Sequence, residues 1–388
     1  MRIALVSRTI AEGGGASAFA ERLTEELRRR GEEADLITIH PHSPSPVARP
    51  LFRWRWLASA LARLQFTSQR LFGLVLPFET PALLRRLRGY DIVHFHDVWS
   101  AISPWSIRQA SRRMPTVLTL HDCAPFTGGC LYMLDCPRYQ KECGRCPEKR
   151  TSYHPLYRWD FSRSALMLKR RLLRKTAIAL ITPSQWMAAR AAESAVFPSP
   201  ATVIPNGCDL ECFHPRRRGP ARARWGIAPE ERVILLSAAS LDDPRKGIAD
   251  AIAALNSLSV EHLNLSIMLM GRNTAAVQKQ LVSFHCRDLG FLSRQEDTAD
   301  AYAASDLFLF PSRADNCPLA VQESMASGTP VIAYTVGGMP EMIGHSLDGV
   351  LIANGRPDQL KEAIIDTLTD RQLHEKFGRA SRTRAGTL

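Results

Sequence analysis

Short, uninterrupted apolar runs recur along the chain, separated by stretches long enough for a helix. In the first half they occupy residues 2–7, 34–40, 91–96, 116–121 and 178–184. Such runs are typical of parallel strands that helices cover on both faces. The pattern breaks at the turn-rich VIPNGCDLECFHP, residues 203–215, and restarts at 233–240, 265–271, 307–312 and 330–334. We therefore predict two doubly wound, Rossmann-like α/β domains, residues 1–205 and 206–388.

Length and charge narrow the class of protein. The chain has 388 residues and a net charge of +12, which favours anionic partners. It carries no zinc-finger, RRM or KH signature, so we expect no nucleic-acid partner. The opening MRIALVSRTIAEGGG predicts a buried strand rather than a signal peptide, and no apolar run is long enough to span a membrane. We expect a cytoplasmic protein.

The first strand is followed by a glycine-rich loop. Gly13, Gly15 and Ala18 match the spacing of a dinucleotide-binding turn, which would indicate a nicotinamide-dependent oxidoreductase. However, the loop does not follow the strand directly, and the second strand ends in His40 rather than in an acidic residue. Two readings stay open: a plain strand-to-helix turn, or a loop whose N–H groups face a phosphate.

The stretch SRADNCPLAVQESMASGTPVIAYTVGG, residues 312–338, carries the clearest chemistry. Pro318 and Gly328 predict a helix over about 317–326, with Pro318 in its first turn and free amides at its N-terminus. Asp315 precedes this helix and Glu323 lies inside it among apolar neighbours. A buried carboxylate needs hydrogen-bond donors, and the vicinal diol of a ribose can supply them. The alternative is that Glu323 is an ordinary solvated helix residue.

This stretch resembles the C-terminal signature of the GT-B-fold retaining glycosyltransferases of family 4, also called glycosyl transferase group 1. VIPNGCD, PRKG, LGFLS and SDLFLFPS match in the family's order, and TLHDCAPFTGGC, CGRCP and TPSQWM resemble an exopolysaccharide and colanic-acid-type branch. The resemblance implies two Rossmann-like domains facing across a cleft, the first binding the acceptor and the second the nucleotide sugar. The chain departs from the pattern in having Asp315 where many relatives have Glu, and in ending at FGRASRTRAGTL without an aromatic-rich helix.

The resemblance also implies roles for individual residues. Glu323 would hold the ribose, and Arg245 and Lys246 would neutralise the diphosphate; Arg245 would replace a family arginine at the position of Leu241. His121 would face the transferred sugar. The other implied donor-binding residues are Asp315, Asn316, Cys317, Pro318 and Leu319, which would contact the sugar, and Gly14 and Gly15, which would cap the diphosphate.

The implied reaction is transfer of a hexose from a nucleotide sugar to a saccharide acceptor, which we expect to be lipid-linked, in cell-surface polysaccharide or glycoconjugate biosynthesis. Retention in this family is explained by same-face attack, with the leaving phosphate assisting deprotonation, so no protein nucleophile is expected and Asp122 is not assigned that role. No cofactor is required for catalysis. Besides the oxidoreductase, a non-catalytic sugar- or lipid-binding module stays an alternative, because a fold does not guarantee an activity.

Five of the nine cysteines lie close together in sequence, between residues 123 and 146. Cys143-Gly-Arg-Cys146 has the form of a zinc knuckle, and Cys130 and Cys136 could complete four thiolates. We expect either a structural zinc or a disulfide here. Reduced cysteines packed in a loop are the alternative.

A second feature outside the resemblance is the stretch LFRWRWLASALARLQFTSQRLFGLVLPF, residues 51–78. It places Trp54 and several leucines at helical spacing, with arginines on other faces, and a basic stretch follows at 166–175. This pattern suits peripheral contact with an anionic membrane on its cytoplasmic face. The alternative is an ordinary helix pair that covers the sheet.

Overall fold

The computed structural model of the chain describes residues 1–40, 43–147, 160–258 and 264–388. The chain divides into two compact units, Met1–Pro205 and Asn206–Leu388. Each unit contains one parallel sheet with helices packed against it. The prediction of two doubly wound α/β domains is therefore confirmed.

The first unit is built on a parallel sheet of seven strands in the order β3-β2-β1-β4-β5-β6-β7. The strands are β1 (Arg2–Ser7), β2 (Glu33–Thr38), β3 (Ala48–Pro50), β4 (Ile92–Phe95), β5 (Thr116–Thr119), β6 (Ile178–Thr182) and β7 (Thr202–Val203). The central strand β1 pairs with β2 and β4, and five of its six residues are buried. Apolar side chains on both sides of β1 explain why the run has no polar alternation.

Helices of the first unit lie between these strands along the chain. They are α1 (Gly15–Arg29), α2 (Arg55–Phe72), α3 (Thr80–Arg86), α4 (Pro104–Ser111), α5 (Arg138–Lys141), α6 (Ser162–Leu173) and α7 (Gln185–Glu193). Short 3-10 helices occupy Ala11–Gly13 and Ala124–Phe126. Because the strands are parallel, the loops that follow them meet at one edge of the sheet.

The second unit repeats the plan with six parallel strands in the order β10-β9-β8-β11-β12-β13. The strands are β8 (Arg232–Ser240), β9 (Leu265–Arg272), β10 (His285–Gly290), β11 (Leu307–Phe310), β12 (Val331–Tyr334) and β13 (Val350–Ile352). The helices are α8 (Arg218–Arg224), α9 (Ile248–Asn256), α10 (Thr274–Gln278), α11 (Gln295–Ala304), α12 (Leu319–Ala326), α13 (Met339–Met342), α14 (Pro357–Thr369) and α15 (Arg371–Ala385). Pro215–Arg217 and Pro244–Lys246 form 3-10 helices.

The structure corrects the predicted start of helix α12. The helix begins at Leu319, and Pro318 is its N-cap residue with an extended conformation, φ −70° and ψ 126°. Pro318 therefore lies before the first turn rather than within it. Four strands, β3, β7, β10 and β13, had not been predicted. Two of them have only three residues and one has two, while β10 is a polar edge strand without buried residues.

Candidate functional site

Two glycines allow three loops of the second unit to approach one another closely at the carboxyl edge of its sheet. A Cβ on Gly247 would lie 1.9 Å from the carbonyl oxygen of Pro311, and one on Gly337 would lie 1.7 Å from that of Asp315. Both glycines have positive φ, 65° and 55°, which side chains rarely adopt. The loops after β8, β11 and β12 are therefore in direct backbone contact around Asp315.

Asp315 is the centre of a buried charged cluster. Its Oδ2 accepts hydrogen bonds from Lys246 Nζ at 2.7 Å, Arg245 Nη1 at 3.2 Å and Ser312 Oγ at 3.2 Å. Burial alone would raise the pKa of Asp315, but the two cations and these hydrogen bonds outweigh it and hold the pKa below its usual value. The carboxylate is thus charged at neutral pH.

Lys246 and Arg245 both belong to the short 3-10 helix after β8. Burial lowers the pKa of Lys246, and Asp315 opposes that shift. Arg245 also donates to the Ala314 carbonyl at 3.0 Å and to Asp243 at 3.1 Å. Leu241, at the family arginine's position, is a core residue with 2% exposure. The cations implied for the diphosphate therefore lie together, and Asp315 is their shared partner.

Helix α12 places Glu323 in a buried position. The residue is only 6% exposed, so the alternative of a solvated helix residue is wrong. Before the helix, the backbone N–H of Asn316 donates to Asp315 Oδ1 at 3.2 Å, and the Cys317 carbonyl accepts from Asn206 Nδ2 at 2.9 Å. Burial raises the pKa of the Cys317 thiol to about 12, so this thiol is protonated at neutral pH. Leu319 is the first helical residue.

A supporting layer had not been predicted from the sequence. Arg313 forms a salt bridge with Asp250 at 2.7 Å, and Tyr334 Oη donates to the same carboxylate at 3.0 Å. These contacts join helix α9, the loop after β11 and the end of β12. The only sequence signal was that Arg313 and Tyr334 lie at or just after strand ends.

In the first unit, Arg8 connects the glycine loop to Asp97. Gly14, with φ 113°, is the N-cap of α1 and Gly15 its first residue, and a Cβ on either would meet nothing within 4 Å. Arg8 donates to the Gly13 carbonyl at 2.7 Å and to Asp97 Oδ2 at 3.0 Å. This open backbone surface at a helix N-terminus fits an anionic group. Arg8 and Asp97 had not been predicted.

His121 lies in a cluster with His94 and His96 at the carboxyl ends of β4 and β5. Its Nε2 is 3.1 Å from His96 Nδ1, and the His94 and His96 rings are 3.9 Å apart. Burial lowers the pKa of His121 to about 4 and that of His94 to about 3. Burial also raises the pKa of Asp122 to about 7. His121 is therefore uncharged at neutral pH and suited to hydrogen bonding with a neutral hydroxyl.

The four cysteines singled out from the sequence surround one cavity. Cys130, Cys136, Cys143 and Cys146 all line it, and none of the four is in a disulfide. In the described part of the chain, no group of three or more His, Cys, Asp or Glu side chains has the spacing that would hold a metal ion.

Helix α2 has an unusual distribution of side chains. Several of its large apolar residues face solvent: Trp56 is 69% exposed, Leu64 47% and Phe66 41%. Its buried residues include Gln65, which donates to Glu79 Oε2 at 2.8 Å, and Ser68. Across residues 1–40, 43–147, 160–258 and 264–388, no helix is long and apolar enough to cross a membrane.

Comparisons with known proteins agree with this architecture. A family model described as Glycosyltransferase Family 4 matches residues 13–212, and one described as Glycosyl transferases group 1 matches residues 221–384. D-inositol 3-phosphate glycosyltransferase from Segniliparus rotundus is 24% identical over 391 residues, which cover 97% of this chain and 81% of that protein.

Two solved structures share the fold over the whole chain. Sucrose-phosphate synthase from Thermosynechococcus elongatus is 21% identical with a TM-score of 0.73, covering 100% of this chain and 94% of that one. HepE from Anabaena in complex with UDP is 19% identical with a TM-score of 0.68, covering 100% and 95%; it is also solved with UDP-glucose. The chain therefore belongs to glycosyltransferase family 4 and is a glycosyltransferase of the GT-B fold.

Proposed function

We propose that the protein transfers a hexose from a nucleoside-diphosphate sugar to a saccharide acceptor with retention of configuration. The observation that carries the proposal is the cluster of Lys246, Arg245 and Asp315 beside the N-terminus of helix α12. Two half-buried cations and a helix N-terminus suit a diphosphate. The complexes of HepE with UDP and UDP-glucose support a donor of this class.

Each charged group then has a separate task. Lys246 and Arg245 stabilise the negative charge that grows on the leaving diphosphate as the glycosidic bond breaks. Buried Glu323 accepts hydrogen bonds from the ribose hydroxyls, and Asp315 binds a hydroxyl of the transferred sugar. The first unit offers a neutral His121 that can hydrogen-bond a sugar hydroxyl, and backbone N–H groups of Gly14 and Gly15 that can bind a phosphate. The acceptor hydroxyl attacks from the face that the diphosphate leaves, and its proton passes to the leaving phosphate.

A donor panel tests this proposal against a non-catalytic sugar-binding module. The purified chain is incubated with UDP- and GDP-sugars and candidate acceptors, and nucleoside diphosphate release is measured. Acceptor-dependent release by the wild type, lost in Lys246→Met and kept in Lys279→Met on the same unit, is expected. Binding of a nucleoside diphosphate without release under any donor and acceptor combination would favour the binding module.

We further propose that the acceptor is lipid-linked and that helix α2 rests on an anionic membrane surface. The helix exposes Trp56 and Phe66 while burying Gln65 and Ser68. Exposed apolar side chains of this size carry a cost in water that a bilayer interface removes. Phe72, near its C-terminus, packs against Phe161 with ring centroids 5.7 Å apart, which connects α2 to the start of α6.

The charges around α2 and α6 match this partner. Exposed Arg53 and Arg63 flank the apolar residues of α2, and Arg171 lies on α6 near Met167, which is 49% exposed. Anionic headgroups would pair with these arginines, with a contribution of about 1 kcal/mol for each basic residue near the surface. The interaction should therefore depend on salt.

Vesicle co-sedimentation tests the membrane contact. We expect binding to phosphatidylglycerol-containing vesicles at low salt and release at high salt, with weak binding to neutral vesicles. The double variant Trp54→Ser, Trp56→Ser should bind much more weakly, whereas Val282→Ser, which removes an apolar side chain that is 84% exposed on the second unit, should bind like the wild type. Self-association of the chain with no vesicle binding would contradict the proposal.

A further inference from the structure

The segment between β5 and α6 arranges four thiols around a cavity of about 20 Å³. Its lining includes Cys130, Cys136, Cys143 and Cys146, and none of them is in a disulfide. A space of roughly 10–15 Å³ holds one water-sized body, so this cavity suits a single small ion. Thiols that line such a space, from two separate stretches of chain, are the ligand type that Zn²⁺ prefers.

The backbone between two of these thiols forms a tight reversal. Gly144 has φ 119° and Arg145 has φ 49°, so two successive residues adopt left-handed conformations. The reversal lets Cys143 and Cys146 line the same cavity although they are only three residues apart. The backbone N–H of Cys146 donates to Asp160 Oδ2 at 2.7 Å, which holds the end of the turn. A non-glycine residue in this conformation is uncommon and requires support from its surroundings.

A buried positive charge close to these cysteines also favours a metal–thiolate site. Lys169 on α6 is 4% exposed, and its Nζ donates to the carbonyl oxygens of Ala124 at 2.6 Å and Thr127 at 2.9 Å. It interacts electrostatically with Cys130 and Cys143 as well as with Asp122. Neutral carbonyls do not balance a buried ammonium. Four thiolates around one Zn²⁺ carry a net negative charge and would compensate this ammonium.

We propose that Cys130, Cys136, Cys143 and Cys146 bind one structural Zn²⁺. Among the described residues, the four thiols line the cavity without having the spacing of a coordination set. Metal binding therefore requires rotation of these side chains toward the cavity and the loss of one proton from each thiol. Four protein ligands leave no open position, so the ion has a structural role. It stabilises the loop that begins directly after His121 and Asp122.

Metal analysis of the wild-type full chain is the primary test. Protein purified without chelator and without added zinc should contain about one equivalent of zinc, measured by inductively coupled plasma mass spectrometry. A mercurial reagent should release that zinc to a colorimetric indicator. Replacement by Co²⁺ should produce the visible absorption bands of a tetrahedral thiolate complex. These measurements do not depend on transferase activity, so their outcome is separate from that of the proposed function.

Variants locate the ion. Cys143→Ser and Cys146→Ser should each reduce bound zinc at least about fivefold and lower the thermal unfolding midpoint. Cys286→Ser makes the same chemical change at a partly buried thiol of the second unit, and should keep the zinc content of the wild type. If the serine variants do not fold, the cobalt spectrum of the wild type still reports whether thiolates are the ligands.

Three results would overturn the proposal. One is less than about a tenth of an equivalent of zinc in the wild type. Another is zinc that persists in Cys143→Ser and Cys146→Ser, because the ion would then lie elsewhere. The third is intact-mass and thiol analysis showing that the four cysteines form two disulfides in protein kept without reductant.

Discussion

Lys246 Nζ donates to Asp315 Oδ2 at 2.7 Å, with side chains only 16% and 10% exposed. Arg245 shares the same oxygen. Asp243 also accepts from Arg245, at 3.1 Å, so two carboxylates compensate the two half-buried cations. A diphosphate that binds here would compete with Asp315 for these cations.

Replacing Asp315 by Asn should separate catalysis from nucleotide binding. The two cations lose the carboxylate that they share, and only Arg245 keeps another, Asp243, so we expect the free energy of unfolding to fall by up to about 3 kcal/mol without ligand. Turnover should fall because the sugar loses a contact, whereas affinity for the nucleoside diphosphate should be at least that of the wild type. Calorimetric titration and transfer rates measure both quantities. Weaker diphosphate binding by a folded variant would contradict the assignment of Asp315 to the sugar.

Glu323→Gln, unlike Asp315→Asn, should weaken binding of the nucleoside diphosphate. Hydrogen bonds from the ribose to a charged acceptor are each worth about 1.5–3 kcal/mol, and an amide replaces part of that acceptor with donors. Nucleoside diphosphate affinity should fall about tenfold or more while the variant stays folded. Glu362→Gln, an exposed glutamate on α14, is the control. Unchanged affinity in Glu323→Gln would mean that α12 does not hold the nucleotide.

Gly337→Ala should disturb the site more than its backbone conformation alone predicts. The new Cβ would lie 1.7 Å from the Asp315 carbonyl oxygen, so the loop that carries Asp315 has to move. Gly355→Ala has a similar positive φ, 74°, and no atom within 4 Å. The control should cost about 1–2 kcal/mol of stability and keep activity. Gly337→Ala should cost more and lose transfer; equal effects would show that the close approach is unimportant.

Stability should fall on acidification through the histidines of the first unit. Burial lowers the pKa of His40 and His121 to about 4 and that of His94 to about 3, from 6.5. Between pH 6.5 and 4 the unfolded chain binds more protons, so the free energy of unfolding rises with pH across this window and is lost as pH falls. Each histidine contributes at most about 1.4 kcal/mol per pH unit.

Asp122 changes the free energy of unfolding with pH in the opposite direction to the histidines. Burial raises its pKa to about 7, so its folded form holds a proton that the unfolded chain releases, and its contribution is lost as pH rises toward 7. Three histidines outweigh one carboxyl between pH 6.5 and 4. Urea unfolding at several pH values should show a shallower pH dependence in His94→Gln than in the wild type. An identical dependence would exclude His94 as a contributor.

Local sequence determined the architecture and the positions of the candidate residues along it. Continuous apolar runs such as RIALVS require a strand that is covered on both faces, and turn residues near 205 separate the two series. Parallel strands place Asp315, Lys246 and His121 at carboxyl ends because the direction of each strand is common to the sheet. Short edge strands such as β3 and β7 could not be predicted, because two or three residues form no periodic pattern.

Only the tertiary structure decided which charges meet. Arg245 and Asp315 are 70 residues apart in sequence, and nothing local indicates that one carboxylate oxygen would serve both Arg245 and Lys246. The same holds for Arg8 and Asp97, which are 89 residues apart. Helix α2 is the clearest case: its periodicity specifies an apolar face, but the burial of Gln65 depends on Glu79 and the Ala101 carbonyl, which only the folded chain brings within hydrogen-bond distance. A pattern in sequence specifies which side chains share a face, whereas the partners of that face are set by packing.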